Sequence, residues 1–383
     1  MRRDGPRERS VKVDADFEGG SILVTGGDDS EIALALRPDN ASDLKQWFCF
    51  RSFGAPGERR AFRIEDAGEA EYPDGWQDYR VCASYEGEDW FRVPTRYEDG
   101  VLRFEHVPPR RLVTFASFAP YPPGRLRRLV AGAARSERAQ VRQIGATLEG
   151  RPIPAITFGE AGARAARIWM IARQHPGEAM AAWCAEGVLL RLLDGADPIA
   201  NALLEEAVIS IVPTVNIDGA VRGNHRTNAA GRDLNRSWDA PSLTETPEVF
   251  AVRSALLETG VDLFLDIHGE EALPYVFAAG SEGNPSYSPR IETLETSFRD
   301  LMHMSYPSFS PTDGYERDAP GEADLSCASN WVGERFDCLS LTLEMPFKDD
   351  AHHPHPHGFT PARCRALGRA TLEAALLILG SLR

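Results

Sequence analysis

Long apolar runs are missing from this 383-residue chain. None approaches the roughly 18 positions that a membrane-spanning helix needs, so no membrane partner is expected. Positive charge is short as well: 42 Lys and Arg face 57 Asp and Glu, a net charge of −15. That balance argues against a nucleic-acid partner, because counterion release needs a dense basic surface. It also means that an acidic substrate must find local positive charge. Cysteine is sparse, at Cys49, Cys82, Cys184, Cys327, Cys338 and Cys364. No two form C-x-x-C, so neither a cysteine zinc site nor a redox motif is indicated. The opening MRRDGPRERSVKVDADFEGG has arginines but no apolar core of signal-peptide length. A cytoplasmic protein with reduced, buried cysteines is the expectation.

What is there reads as two units. A hydrophobic fraction of 43% and a charged fraction of 26% fit an ordinary globular protein. The length exceeds what one core usually serves. Residues 1–10 read as a flexible basic tail. Residues 11–120 hold short, alternating, aromatic segments such as WFCFRSFG, YRVCASY and VLRFEHV, punctuated by GAPGE, YPDGW and YEDG. This pattern predicts an all-β sandwich domain, with Trp47, Trp76 and Trp90 as packing residues. The prolines of APYPPGRLRRLV break that rhythm. From 121 to 383, strand-like and helix-like segments alternate, which predicts an α/β domain with a mixed central sheet. AARIWMIAR, AVISIVPTVN, VDLFLDIHG and CLSLTLEMPF are its strands. EAMAAWCAEGVLLRLLDG, TPEVFAVRSALLETG and TPARCRALGRATLEAALLILGSL are its helices.

Sites in open α/β sheets form beyond the carboxyl ends of strands. His175 and Glu178 follow the first of these strands, with Glu178 expected in the first turn of the next helix, where an i, i+3 pair can converge. His268 and Glu344 end two others. Each alone has an ordinary explanation: a chance H-x-x-E, a satisfied core histidine, a salt-bridged strand end. Together they suit a hydrolytic zinc, which takes three protein ligands and keeps one position open. The segment 215–238 adds Arg222, Arg226, Arg232 and Arg236 among Gly, Asn and Asp. As a solvated loop it is unremarkable. As a guanidinium cluster it would bind a carboxylate, since an arginine fork matches that group bidentately.

Taken together, RQHPGE, NIDG…GNHRTN…GRDLNR, DIHGEE and LTLEMPFK resemble the zinc metallocarboxypeptidases, specifically the bacterial type of the cytosolic carboxypeptidase branch. H-P-G-E replaces the H-[small]-x-E of digestive relatives, and an N-terminal sandwich precedes the catalytic domain. The resemblance implies one Zn2+ per chain, held by His175, Glu178 and His268. It implies Glu344 as general base toward the metal-activated water. Arg226 would stabilise the oxyanion, an effect often worth about 3 kcal/mol. Asn235 and Arg236 would hold the terminal carboxylate of a peptide or protein, with Arg222 and Arg232 as candidates for a basic pocket selecting an acidic (Glu) residue. Asp233 would orient His175, and Asp266 is a weaker candidate for supporting His268. Digestive relatives carry a Tyr about twenty residues before the base. EADLSCASNW occupies that region here, so Tyr315 is not assigned the role. KDDAHHPHPHGF (348–359) reads as a surface loop. Two other readings are an N-acyl-amino-acid amidohydrolase on the same zinc scaffold and an inactive peptide-binding module. The latter predicts a lost ligand or base, and none is missing.

Overall fold

The computed structural model describes residues 11–382 except 29, 161, 163 and 164; the expected tail, 1–10, lies outside the described residues. Between Lys12 and Ala116 the chain forms two five-stranded sheets. One runs in the order Lys12–Asp14, Cys49–Phe53, Leu112–Ala116, Cys82–Ser84, Phe91–Arg92. The other runs Leu23–Gly27, Ile32–Ala35, Arg60–Ile64, Val101–His106, Thr95–Glu98. Period-2 alternation sets what each strand buries. In Val101–His106, Leu102 and Phe104 are buried while Arg103 and Glu105 face water. Phe48, Phe50, Phe62, Phe104 and Phe115 meet in the core of this half, with neighbouring ring centroids 5.2–6.5 Å apart. Truncating one of them to Ala costs about 3–5 kcal/mol. Trp76 belongs to the same core, whereas Trp47 packs into the core of the second half and the partly buried Trp90 lies against it.

The second half begins with the helix Pro123–Ala134 and is built on a seven-stranded sheet. Its order is Ala139–Ala146, Pro152–Phe158, Ala207–Val212, Ala166–Ala172, Leu263–Ile267, Leu339–Glu344, Phe277–Ala279. The four strands from Ala207–Val212 to Leu339–Glu344 are mutually parallel, and the edges are antiparallel. The sheet is therefore mixed, as expected. Leu263–Ile267 is buried at every position, the signature of a parallel strand covered on both faces. The edge hairpin 139–158 escaped the sequence reading because its outer strand AQVRQIGA buries none of its residues fully and Pro152 and Pro154 interrupt the strand pattern of the inner one.

Helix Ala179–Leu193 covers the central strands Ala166–Ala172 and Leu263–Ile267, and Pro361–Ile378 packs against it. The latter starts on a Thr360 cap followed by proline, a strong start signal. Among the described residues no helix is long and apolar enough to cross a membrane. All six cysteines are unbridged; five are buried and Cys327 is half-buried. The parallel strands end on one side of the sheet, and the candidate residues collect there.

Candidate active site

The strand Ala166–Ala172 stops at Arg173, whose φ of 59° is left-handed and costs a non-glycine residue about 1–2 kcal/mol. Buried hydrogen bonds hold it there: Nε donates to the Pro176 carbonyl at 2.8 Å and Nη1 to the Tyr121 carbonyl at 2.9 Å. The turn swings His175 and Glu178 over the strand end. Glu178 is the residue preceding the helix Ala179–Leu193 and has non-helical backbone. It is therefore not in the first helical turn, as the spacing had suggested; Pro176 and Gly177 form a turn instead. Gly177 is required, because a Cβ there would lie 2.8 Å from His225 Nδ1 and 2.9 Å from its carbonyl oxygen.

His175, Glu178 and His268 come together from two strand ends, with one ligand atom of each within 4.8 Å of the others, and all three are buried. His175 Nδ1 lies 2.6 Å from Glu178 Oε1, and His268 Nδ1 lies 2.8 Å from Glu178 Oε2. The far nitrogens turn to carboxylates: His175 Nε2 is 3.0 Å from Asp233 and His268 Nε2 is 2.8 Å from Asp266. A proton on each Nε2 leaves both Nδ1 lone pairs facing an anionic carboxylate. Three buried acceptors then converge, a set that a divalent cation would satisfy. The donor set fits zinc.

Asp233 links this cluster to the arginine segment. Its Oδ1 accepts from His175 and from the Asn235 backbone (2.8 Å), and its Oδ2 accepts from Arg226 Nε at 2.7 Å. Burial works against its charge, but His175 and Arg226 outweigh burial and hold the carboxyl well below the usual range. Gln174, fully buried, was missed in the sequence although it sits inside RQHPGE. Its amide donates to Asp266 at 2.6 Å and Asn235 Oδ1 at 3.1 Å, while Trp238 Nε1 donates to its oxygen. Asn235 Oδ1 also accepts from the Ala328 backbone. With that oxygen engaged, Asn235 has its amide Nδ2 left to donate into the cleft it lines. Half-exposed Arg236 lines the same wall, donating to Cys327 Sγ at 3.3 Å.

The cleft has a volume of about 690 Å³ and also takes in Glu344, Arg226 and Tyr315. Burial and the nearby Glu178 and Glu270 push the Glu344 carboxyl well above its usual range, against the pull of His268. Tyr315, left unassigned by its spacing, brings its hydroxyl to 3.2 Å from Glu344 Oε1 and also bonds Glu270. Tyr72, from the β half, also lines the cleft and accepts from Arg226 Nη1 at 2.7 Å. Neither tyrosine carries a local motif that marks it as a site residue.

Arg222 and Arg232 do not reach the cleft, which corrects their expected role there. Arg222 pairs with Glu149 and Arg232 with Glu245 at 2.6 Å, both at the surface, where a carboxylate from a neighbouring element is available. Two other arginines line the cleft instead. Arg299 lies 2.8 Å from Glu282, and Arg317 lies 3.6 Å from the same Glu282 oxygen. Of the expected surface loop 348–359, residues 351–357 are exposed, with His352 paired to Asp313 at 2.7 Å, whereas Lys348, Asp350 and Phe359 at its ends are buried.

Comparison with known proteins matches residues 129–367 to the zinc carboxypeptidase model and residues 13–118 to the cytosolic carboxypeptidase N-terminal domain. The chain belongs to the zinc carboxypeptidase family. Within that family it is 40% identical to an uncharacterized protein of Zymomonas mobilis, over 95% of both chains. A metallo-carboxypeptidase from Pseudomonas aeruginosa, solved in complex with (2-guanidinoethylmercapto)succinic acid, superposes with a TM-score of 0.94. The two share 44% identity, over 97% of this chain and 100% of that one. Cytosolic carboxypeptidase 4 of Homo sapiens is 37% identical over 114 residues, 28% of this chain and 10% of that protein. The family and fold make this chain a carboxypeptidase-type hydrolase, and the family acts on peptide or protein C-termini.

Proposed function

We propose that this carboxypeptidase removes the last residue of peptides or proteins, using one zinc ion held by His175, Glu178 and His268. The observation that carries the reading is the convergence of those three side chains in the cleft that Glu344, Arg226, Asn235 and Arg236 also line. When bound, the zinc supplies Lewis-acid chemistry, activating water and polarising the scissile carbonyl. Asn235 and Arg236 grip the terminal carboxylate and so set the cut one bond from the end. Arg226, fixed by Asp233, faces the negative charge that develops on the carbonyl oxygen. Glu344 takes a proton from the attacking water and passes it to the departing amine. Burial raises its pKa above the ordinary glutamate range, which makes it a better proton acceptor than a solvated carboxylate.

An acidic terminal residue is the first reading of specificity, now resting on Arg299 and Arg317 rather than on Arg222 and Arg232. Glu282, between those two guanidiniums, favours a second reading, a basic residue. The guanidino group of the compound bound by the Pseudomonas relative supports the second as well. Mass spectrometry of peptides ending in Glu, Asp, Lys or Phe separates them, with zinc-loaded wild type beside Glu344→Gln. Fastest trimming of Glu supports the acidic reading; fastest trimming of Lys supports the basic one. Release of acyl groups from N-acyl amino acids, with peptides untouched, would replace the carboxypeptidase reading by the amidohydrolase one.

A further inference from the structure

The β half contributes more than packing to this cleft. Asp39, buried and remote in sequence, aims its carboxylate at the turn carrying Arg226. Oδ1 accepts from the His225 backbone N–H at 2.5 Å, and Oδ2 accepts from those of Arg226 and Thr227 at 2.8 Å each. The Thr227 hydroxyl adds a fourth bond at 3.1 Å. Asn40, the next residue, accepts from Asn224 Nδ2 at 2.6 Å and donates to the Ala229 carbonyl at 2.8 Å. Two consecutive side chains thus fix the backbone of 225–229 from outside.

Tyr72 fixes the side chain. Its backbone is tied to buried Gln46 in both directions, at 2.9 and 3.2 Å. Its hydroxyl accepts from Arg226 Nη1, and its ring meets that of His225 at a centroid distance of 6.2 Å. Arg226 therefore has Nε on Asp233 from its own half and Nη1 on Tyr72 from the other. A guanidinium has two terminal nitrogens, so Nη2 remains to meet a substrate oxygen. Without the two anchors, a long side chain would sample several rotamers and lose the fixed orientation that makes such a donor effective.

We propose that Asp39 and Tyr72 are positioning residues for the reaction: the β half builds one side of the oxyanion-binding arginine. The inference rests on the reading of Arg226 given above. The argument concerns geometry in the transition state, so the expected loss lies in kcat rather than KM.

The test uses the full-length, zinc-loaded enzyme and a peptide substrate. Tyr72→Phe removes one oxygen and keeps the ring. The expected result is a drop in kcat of about 10-fold, with KM changed less than about twofold and the melting temperature unchanged. Asp39→Asn turns an acceptor into a donor against backbone N–H groups, and a similar or larger loss is expected. The decisive readout is the double-mutant cycle. In an Arg226→Ala background, either substitution produces no further loss if it acts through Arg226. A Tyr72→Phe loss of equal size in both backgrounds overturns the inference, as does full activity of Tyr72→Phe beside a crippled Arg226→Ala. Full activity of Arg226→Ala would instead remove the underlying reading of the site. If Asp39→Asn fails to fold, Tyr72→Phe decides alone.

Discussion

Four arginines lie within fifteen positions of one another in the segment 222–236, and they divide into two pairs. Arg226 and Arg236 line the cleft, whereas Arg222 and Arg232 lie against Glu149 and Glu245 at the surface. Residue type does not separate them; the carboxylates around them do. Arg226 meets Asp233, a group that also holds His175, so its charge is tied to the candidate ligand trio. Arg222 and Arg232 meet acids that touch nothing in the cleft. A sequence shows the arginines and the acids but not which pairs form, because those depend on how distant elements pack.

The largest break in this comparison is expected from Arg226→Ala. Loss of one oxyanion donor costs roughly 10²–10³ in kcat/KM, measured by steady-state hydrolysis of a short peptide. Arg236→Gln comes next. Losing a charge-assisted grip on the terminal carboxylate should weaken kcat/KM by about 10- to 100-fold, and the same peptide with an amidated terminus should be little affected by the substitution. An unchanged preference for the free carboxylate would remove Arg236 from that role.

The pH dependence is gentler. Burial raises the Glu344 pKa, and a base works only when deprotonated. The kcat/KM profile therefore falls as pH drops, along an acid limb lying above the ordinary glutamate value of about 4.3. A flat profile down to that value contradicts the assignment. The smallest effect belongs to the outer pair: Arg222→Ala and Arg232→Ala should leave kinetics unchanged and stability within about 0.5 kcal/mol, because exposed ion pairs contribute little. A tenfold loss of activity in either would erase the distinction between the pairs.

Much of the fold was legible because its signals are local. Alternation marks strands such as Val101–His106, and a continuous apolar run marks Leu263–Ile267. The convergence of the candidate trio His175, Glu178 and His268 was legible because each lies at or just beyond the end of an apolar strand, where an α/β site belongs. Gln174 was not, since a buried amide between Asp266, Asn235 and Trp238 has no sequence signature. Tyr315 was passed over because spacing was used as the guide, and the loop around it brings the hydroxyl to Glu344 from 29 positions away. Tyr72 and Asp39 were invisible for a different reason: they come from the other half of the chain, and only the contact between halves gives them a task.

Zinc titration of the metal-free protein, followed by elemental analysis, tests the central claim most directly. The account predicts one zinc per chain in wild type and in Glu344→Gln, and a loss of stoichiometric binding in His175→Ala and His268→Ala. Undiminished zinc binding by His268→Ala, or none by wild type, would contradict it.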